Sequence, residues 1–180
     1  MVYKQPVNGT RIMYDELLIK EEKYLENRGN IYTIYDKRKM PADCEFVQDK
    51  ISKSYQGVIR GFHGDDKTWK LINCLQGKIQ LVTYNIDTDE KCVYILNADS
   101  PINRSVLVPP RTLNAHQCLS DVCIFHYKWS EYYTNPEDQW SVHYNDKDIA
   151  PQWHQNLHII VSERDDNSQS LMELKKRVRK

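Results

Sequence analysis

Arg60, His63 and Lys70 fall in one short stretch, Gly57-Val58-Ile59-Arg60-Gly61-Phe62-His63-Gly64-Asp65-Asp66-Lys67-Thr68-Trp69-Lys70-Leu71. Together they supply two fixed cations and one titratable imidazole. An imidazole titrates near pH 6.5, where a general base is most useful, and Arg or Lys can hold a phosphate or a developing oxyanion. On chemistry alone the stretch is a candidate site for anion binding coupled to proton abstraction. The histidines at 126, 143, 154 and 158 read as surface or structural residues.

Metal and thiol chemistry fit the sequence less well. A metal-dependent jelly roll needs three His and a Glu, or two His and a carboxylate, often built on an HxH pair. The chain has no HxH: His63 is followed by Gly64-Asp65, and His116 by Gln117-Cys118. Its five cysteines, Cys44, Cys74, Cys92, Cys118 and Cys123, are odd in number and form no CxxC, which argues against a disulfide framework or a zinc knuckle. They read as reduced core thiols.

The elements that must position the candidate site are strands. Apolar and β-branched residues alternate with polar ones at period two far more than at 3.6, which indicates a β protein. Strands are expected at Ile31 to Tyr35, Cys44 to Ile51, Val58 to Phe62, Trp69 to Leu75, Lys78 to Ile86, Cys92 to Leu96, Ser105 to Val108 and Val122 to Trp129. Gln76-Gly77 fits a tight hairpin, Asp99-Ser100-Pro101 marks a turn, and Pro109-Pro110 belongs on an edge or in a loop. That many short strands points to a sandwich or jelly roll. Ser168 to Lys180 is expected to be helical, with Leu171, Leu174 and Val178 at spacings of three and four and a basic end suited to the C-terminal dipole.

A chain of 180 residues, 40% apolar and 11% aromatic, fits one domain with a proper core. Twenty-five basic and twenty-five acidic residues cancel, so no broad field draws nucleic acid or a membrane surface, and an anion must be bound locally. No apolar run reaches the roughly 18 residues of a membrane span, and the N-terminus lacks a signal-peptide pattern. A cytoplasmic location is expected.

With the strands laid out, four elements in series resemble the dTDP-4-dehydrorhamnose 3,5-epimerase family. They are Arg60-Gly61-Phe62-His63 followed by Lys70, then Val108-Pro109-Pro110 with Ala115-His116, then Tyr127-Lys128-Trp129-Ser130-Glu131-Tyr132-Tyr133, and finally Ser162-Glu163-Arg164-Asp165. The resemblance spans about residues 10 to 166. It implies an all-β, cupin-type jelly roll with a short C-terminal helix, forming one domain over residues 1–180: N-terminal strands at about 10–36, a core at about 44–130 and a C-terminal segment at 131–180. It further implies a homodimer with exchanged N-terminal strands, no metal or organic cofactor, and epimerisation of a nucleotide-diphospho-4-keto sugar.

By the same resemblance His63 is the base and Tyr127 the acid on the opposite face. Asp165 is the carboxylate that orients the imidazole, with Asp166 one register step away. Arg60 and Lys70 belong near the substrate anion and the keto oxygen, His116 lines the same cavity, and Tyr133 lies beside the sugar. Arg28 matches a diphosphate-binding position, and Gln48 is kept. The departures concern the substrate. Ile31 and Thr33 stand where an aromatic residue and a glutamate usually meet thymidine, Leu81 replaces an acidic residue, and Asp49-Lys50 replace an uncharged residue and an asparagine. Together with Gly64-Asp65 through Trp69-Lys70-Leu71, these departures look closer to a capsule and lipopolysaccharide subgroup acting on GDP-4-keto-heptoses as well as on dTDP-linked hexoses, so the resemblance implies inversion of C3, C5 or both on a GDP-4-keto-heptose or a dTDP-4-keto-6-deoxyhexose. A non-catalytic sugar-nucleotide-binding jelly roll is the competing class.

Overall fold

The computed structural model describes residues 18–178. Two five-stranded antiparallel sheets face each other. The first is ordered β1 (Leu18–Glu22), β9 (Ile102–Val108), β6 (Lys70–Gln76), β11 (Val122–Trp129), β4 (Gln48–Tyr55). The second is ordered β12 (Trp140–Ser141), β5 (Ile59–Gly64), β10 (Thr112–Cys118), β7 (Lys78–Asn85), β8 (Lys91–Asn97). A separate hairpin joins β2 (Tyr24–Glu26) to β3 (Gly29–Ile31). This is the jelly-roll architecture that the many short strands predict.

Alternation along the strands produces three apolar layers. Ile72, Cys74, Ile79, Leu81, Tyr94, Leu96, Val106 and Phe125 fill the space between the sheets. On the outside of the second sheet, Phe62, Val82, Leu113 and Ala115 pack under Val142, Ile149, Trp153, Leu171 and Leu174 of the C-terminal segment. Leu71 and Leu107, on the outside of the first sheet, are covered by Cys44, Tyr35, Met40 and Phe46. All five cysteines are free and buried.

The hairpin expected at Gln76-Gly77 joins β6 to β7. Gly77 has φ +73°, and a Cβ there would lie 2.2 Å from Ser120 Oγ and from Val122 O, so both the turn and the close approach require glycine.

Several expected boundaries need correction. The strand at Ile31 to Tyr35 is absent: β3 ends at Ile31, and Tyr35 instead meets Phe46 edge-on at 5.5 Å over the outer face. The strand expected from Cys44 starts at Gln48, because Cys44 is a buried plug of the covering loop. Thr112–Cys118 is a strand that alternation failed to reveal. Its polar Asn114, His116 and Gln117 sit on a central strand covered on both faces. The helix expected from Ser168 begins at Leu171 and runs to Val178 (α2), and residues 179–180 lie outside the described residues. Of the N-terminal strands expected to exchange, residues 10–17 also lie outside them, while β1 pairs with β9 of its own chain.

Candidate active site

Arg60 and His63 are three residues apart, and in a regular strand they would face opposite ways. Gly61, with φ +119°, breaks the alternation, and the β5–β10 register shifts by one between the pairs Asn114↔His63 and His116↔Arg60. Both side chains therefore turn inward. A Cβ on Gly61 would lie 2.5 Å from Asn114 O and 2.6 Å from Ala115 Cβ, so no other residue fits without moving β10.

Asp165 lies on a one-turn helix, α1 (Glu163–Asp166), whose first turn is capped by Ser162: its hydroxyl accepts from the Asp165 N–H at 3.2 Å. Asp165 is 3% exposed. One oxygen stands 2.8 Å from His63 Nε2, and the other accepts the Gly61 N–H at 3.1 Å. Burial pushes this carboxyl up, but the hydrogen bonds from His63 and Gly61 outweigh burial, and its pKa lies below the ordinary 3.8. Asp166 points elsewhere, 3.7 Å from His143.

Across the cavity, the inward row of β11 is Phe125, Tyr127 and Trp129, with ring centroids 5.0 and 5.7 Å apart. Burial, helped by Tyr133 and opposed by Arg60, raises the Tyr127 pKa above 10, so the phenol keeps its proton at neutral pH. His116 stacks on Phe125 at 4.0 Å. Burial, then Arg60 and His63, push its pKa down to about 3, so this ring is a neutral hydrogen-bonding group. Lys70 is 3% exposed, and its ammonium donates to Asn114 Oδ1 at 3.0 Å and to the His63 carbonyl at 3.4 Å. Burial lowers its pKa to about 8; Asp65 opposes this and Lys50 adds to it.

These residues line one cavity of about 260 Å³ between the sheets, with Lys50, Ser52, Trp129, Tyr133, Gln139, Ser162 and Arg164. Its lining holds four basic side chains, Lys50, Arg60, Lys70 and Arg164, against one carboxylate, Asp165. A chain of zero net charge thus concentrates positive charge at one point. Arg60 Nε donates to Ser54 Oγ at 3.0 Å, tying β5 to β4 at the rim.

Of the residues singled out in the sequence, His63, Tyr127, Asp165, Arg60, Lys70, His116 and Tyr133 all line this cavity. Gln48 is not in the lining; its Oε1 accepts the Tyr133 N–H at 3.0 Å and so anchors the segment carrying that ring. Arg28 is also outside the lining, exposed at the tip of the β2–β3 hairpin and paired with Glu26 at 2.7 Å. Leu81 faces the core, in register with His116. Sequence reasoning missed Asn114, Trp129, Gln139 and Arg164 as lining residues and treated Lys50 only as a departure. Arg164 had a signal, since it immediately precedes Asp165 in the quoted motif.

Fold and lining together define a cupin-type jelly roll with a cationic interior cavity. The family model for dTDP-4-dehydrorhamnose 3,5-epimerase matches residues 11–173. The dTDP-4-dehydrorhamnose 3,5-epimerase of Escherichia coli is 29% identical over 181 residues, covering 93% of this chain and 96% of that protein. The Legionella pneumophila dTDP-6-deoxy-D-glucose-3,5-epimerase, solved with dTDP-4-keto-L-rhamnose, superposes with a TM-score of 0.82 at 26% identity, covering 92% of this chain and 93% of that one. The Bacillus anthracis dTDP-4-dehydrorhamnose 3,5-epimerase, solved with TDP and PPi, superposes with a TM-score of 0.76 at 30% identity, covering 85% and 92%. The chain belongs to the dTDP-4-dehydrorhamnose 3,5-epimerase family and is an isomerase, a sugar epimerase. Among the described residues, no helix is long and apolar enough to cross a membrane.

Proposed function

We propose that the protein inverts C3, C5 or both in a nucleotide-diphospho-4-keto sugar, without a cofactor, by proton transfer through an enolate. The observation that carries this reading is His63, on one sheet and 2.8 Å from Asp165 of α1, facing a protonated Tyr127 on the other sheet across a cationic cavity. A C4 ketone acidifies the protons on its neighbouring carbons. His63 removes one; the electron pair of the C–H bond moves into the enolate, and the oxygen takes up negative charge. Lys70 and His116, in the same lining, are the donors assigned to stabilise this oxygen. Tyr127 then delivers a proton to the opposite face of the carbon and is reprotonated from solvent, while His63 releases its proton. Asp165 holds the imidazole in one tautomer and stabilises its charged form, as the buried carboxylate of a hydrolase triad does. Arg60 and Arg164 are suited to the diphosphate.

The nucleotide is read as dTDP, because the relatives reported above are named for dTDP sugars. A second reading, GDP on a 4-keto-heptose, rests on Ile31 and Thr33 standing where thymidine contacts are expected, with Ile31 67% exposed. Calorimetry separates them: tight binding of a dTDP sugar with none of its GDP analogue removes the second reading, and the reverse removes the first. The functional unit is proposed to be a homodimer in which the hairpin of Tyr24, Leu25 and Ile31, all more than 60% exposed, meets a second copy. Product analysis tests the reaction itself. Incubation with a 4-keto nucleotide sugar is expected to give a sugar whose proton coupling constants report inversion at C3 or C5; recovery of only the starting configuration across dTDP and GDP substrates contradicts the proposal.

A further inference from the structure

Among the described residues, four buried side-chain atoms of cavity-lining residues have no hydrogen-bond partner: Ser52 Oγ, His116 Nε2, Trp129 Nε1 and Gln139 Nε2. A buried polar atom left unpaired is costly, so such atoms mark where a ligand completes the structure. Trp129 is the most informative of them. It is 4% exposed, and its indole N–H can only donate. Lys50 and Lys70 both lie over its ring, with Nζ 5.0 and 4.9 Å from the centroid, and Lys50 also sits 3.3 Å above the ring of Tyr133. Cross-strand register explains the grouping: Lys50 pairs with Tyr127 across β4–β11, and Lys70 with Trp129 across β6–β11. Among the described residues, Lys50 has no carboxylate partner; its contacts are the two aromatic faces.

Around Trp129, whose ring lies 5.7 Å from that of Tyr127, the lining therefore groups three donors that cannot accept, the indole N–H and the Lys50 and Lys70 ammonium groups, on aromatic faces. We propose that Lys50 and Trp129 are specificity-determining residues that require an acceptor oxygen on the sugar substituent next to the carbon served by Tyr127, in place of a methyl group or hydrogen. A methyl group there would leave the indole N–H and an ammonium group desolvated and unpaired. Sites built to hydrogen-bond an oxygen reject the analogue lacking it far more strongly than apolar pockets reject an extra methylene. The inference rests on the epimerase reading above and deepens it from a reaction to a substrate class.

The test uses two pairs of 4-keto nucleotide sugars, one differing only at C6 (hydroxymethyl against methyl) and one only at C2 (hydroxyl against hydrogen). Rates of solvent deuterium uptake are compared at substrate concentrations well below KM. The wild-type protein is expected to exchange the oxygenated member of at least one pair at least about tenfold faster. Trp129→Phe keeps a ring beneath both ammonium groups and Lys50→Met keeps the aliphatic stem, and each is expected to bring that ratio to within about threefold of unity. If either variant fails to fold by thermal melting, the other carries the comparison. Ratios near unity in both wild-type pairs, or a wild-type preference that survives the substitutions, overturn the inference while leaving the epimerase reading intact. Absence of exchange with every substrate overturns both.

Discussion

At the scale of single residues, the proposed mechanism divides its work so that each substitution has a distinct signature. Tyr127→Phe is expected to retain some hydrogen exchange, because His63 still removes the proton, but to block inversion, because nothing donates from the other face. NMR of recovered substrate and product checks this. Asp165→Asn is expected to lower kcat by about 10²-fold or more, since the imidazole loses the group that fixes its tautomer and charge. The same carboxyl has a stability consequence. Its folded pKa lies below its ordinary 3.8, so its contribution is fully present above that value and is lost as pH falls through the lower folded value. Asp165→Asn is therefore expected to flatten the acid limb of a melting-temperature profile. Lys70 controls the other side of the pH range. With a pKa of about 8 it loses its charge on mild alkalinisation, and kcat/KM is expected to fall as pH rises through about 8. Lys70→Arg is expected to lower the rate and remove that limb, because a guanidinium stays charged.

At the scale of elements, strand β5 is the decisive piece, since it carries Arg60 and His63 and receives Asp165 through the Gly61 N–H. Gly61→Ala is expected to cost about 2 kcal/mol or more and to impair activity beyond that loss, because the added Cβ collides with β10 and returns the strand to regular alternation. Chemical denaturation and kinetics at a temperature where the variant is folded measure the two effects separately. The same strand shows what sequence can and cannot carry. Val58 to Phe62 was legible as a strand, yet period-two alternation puts His63 and Arg60 on opposite faces; the family motif placed them together, and a positive-φ glycine with a register shift explains how. β10 escaped notice because a central strand buried on both faces need not alternate when its polar side chains line a cavity. Asp165 was legible only through its motif, since a one-turn helix has no periodicity. Lys50 and Trp129 became neighbours through the pairing of β4, β6 and β11, and no local pattern encodes that register.

At the scale of the whole molecule, zero net charge with four cations in one cavity predicts local, specific capture of a diphosphate. The proposed dimer is expected to sediment at twice the 21.4 kDa chain mass, and a monomer at micromolar concentration would remove it. The fold itself was readable as strands and turns, whereas the loops that cover the two outer faces were not, because their buried residues follow no period. The central claim is proton abstraction by His63 next to a C4 ketone, and isotope exchange tests it most directly. A 4-keto nucleotide sugar incubated in heavy water with the wild-type protein is expected to take up deuterium at C3 or C5, and with His63→Asn to take up none above the uncatalysed background. Deuterium uptake by His63→Asn at the wild-type rate would contradict the account.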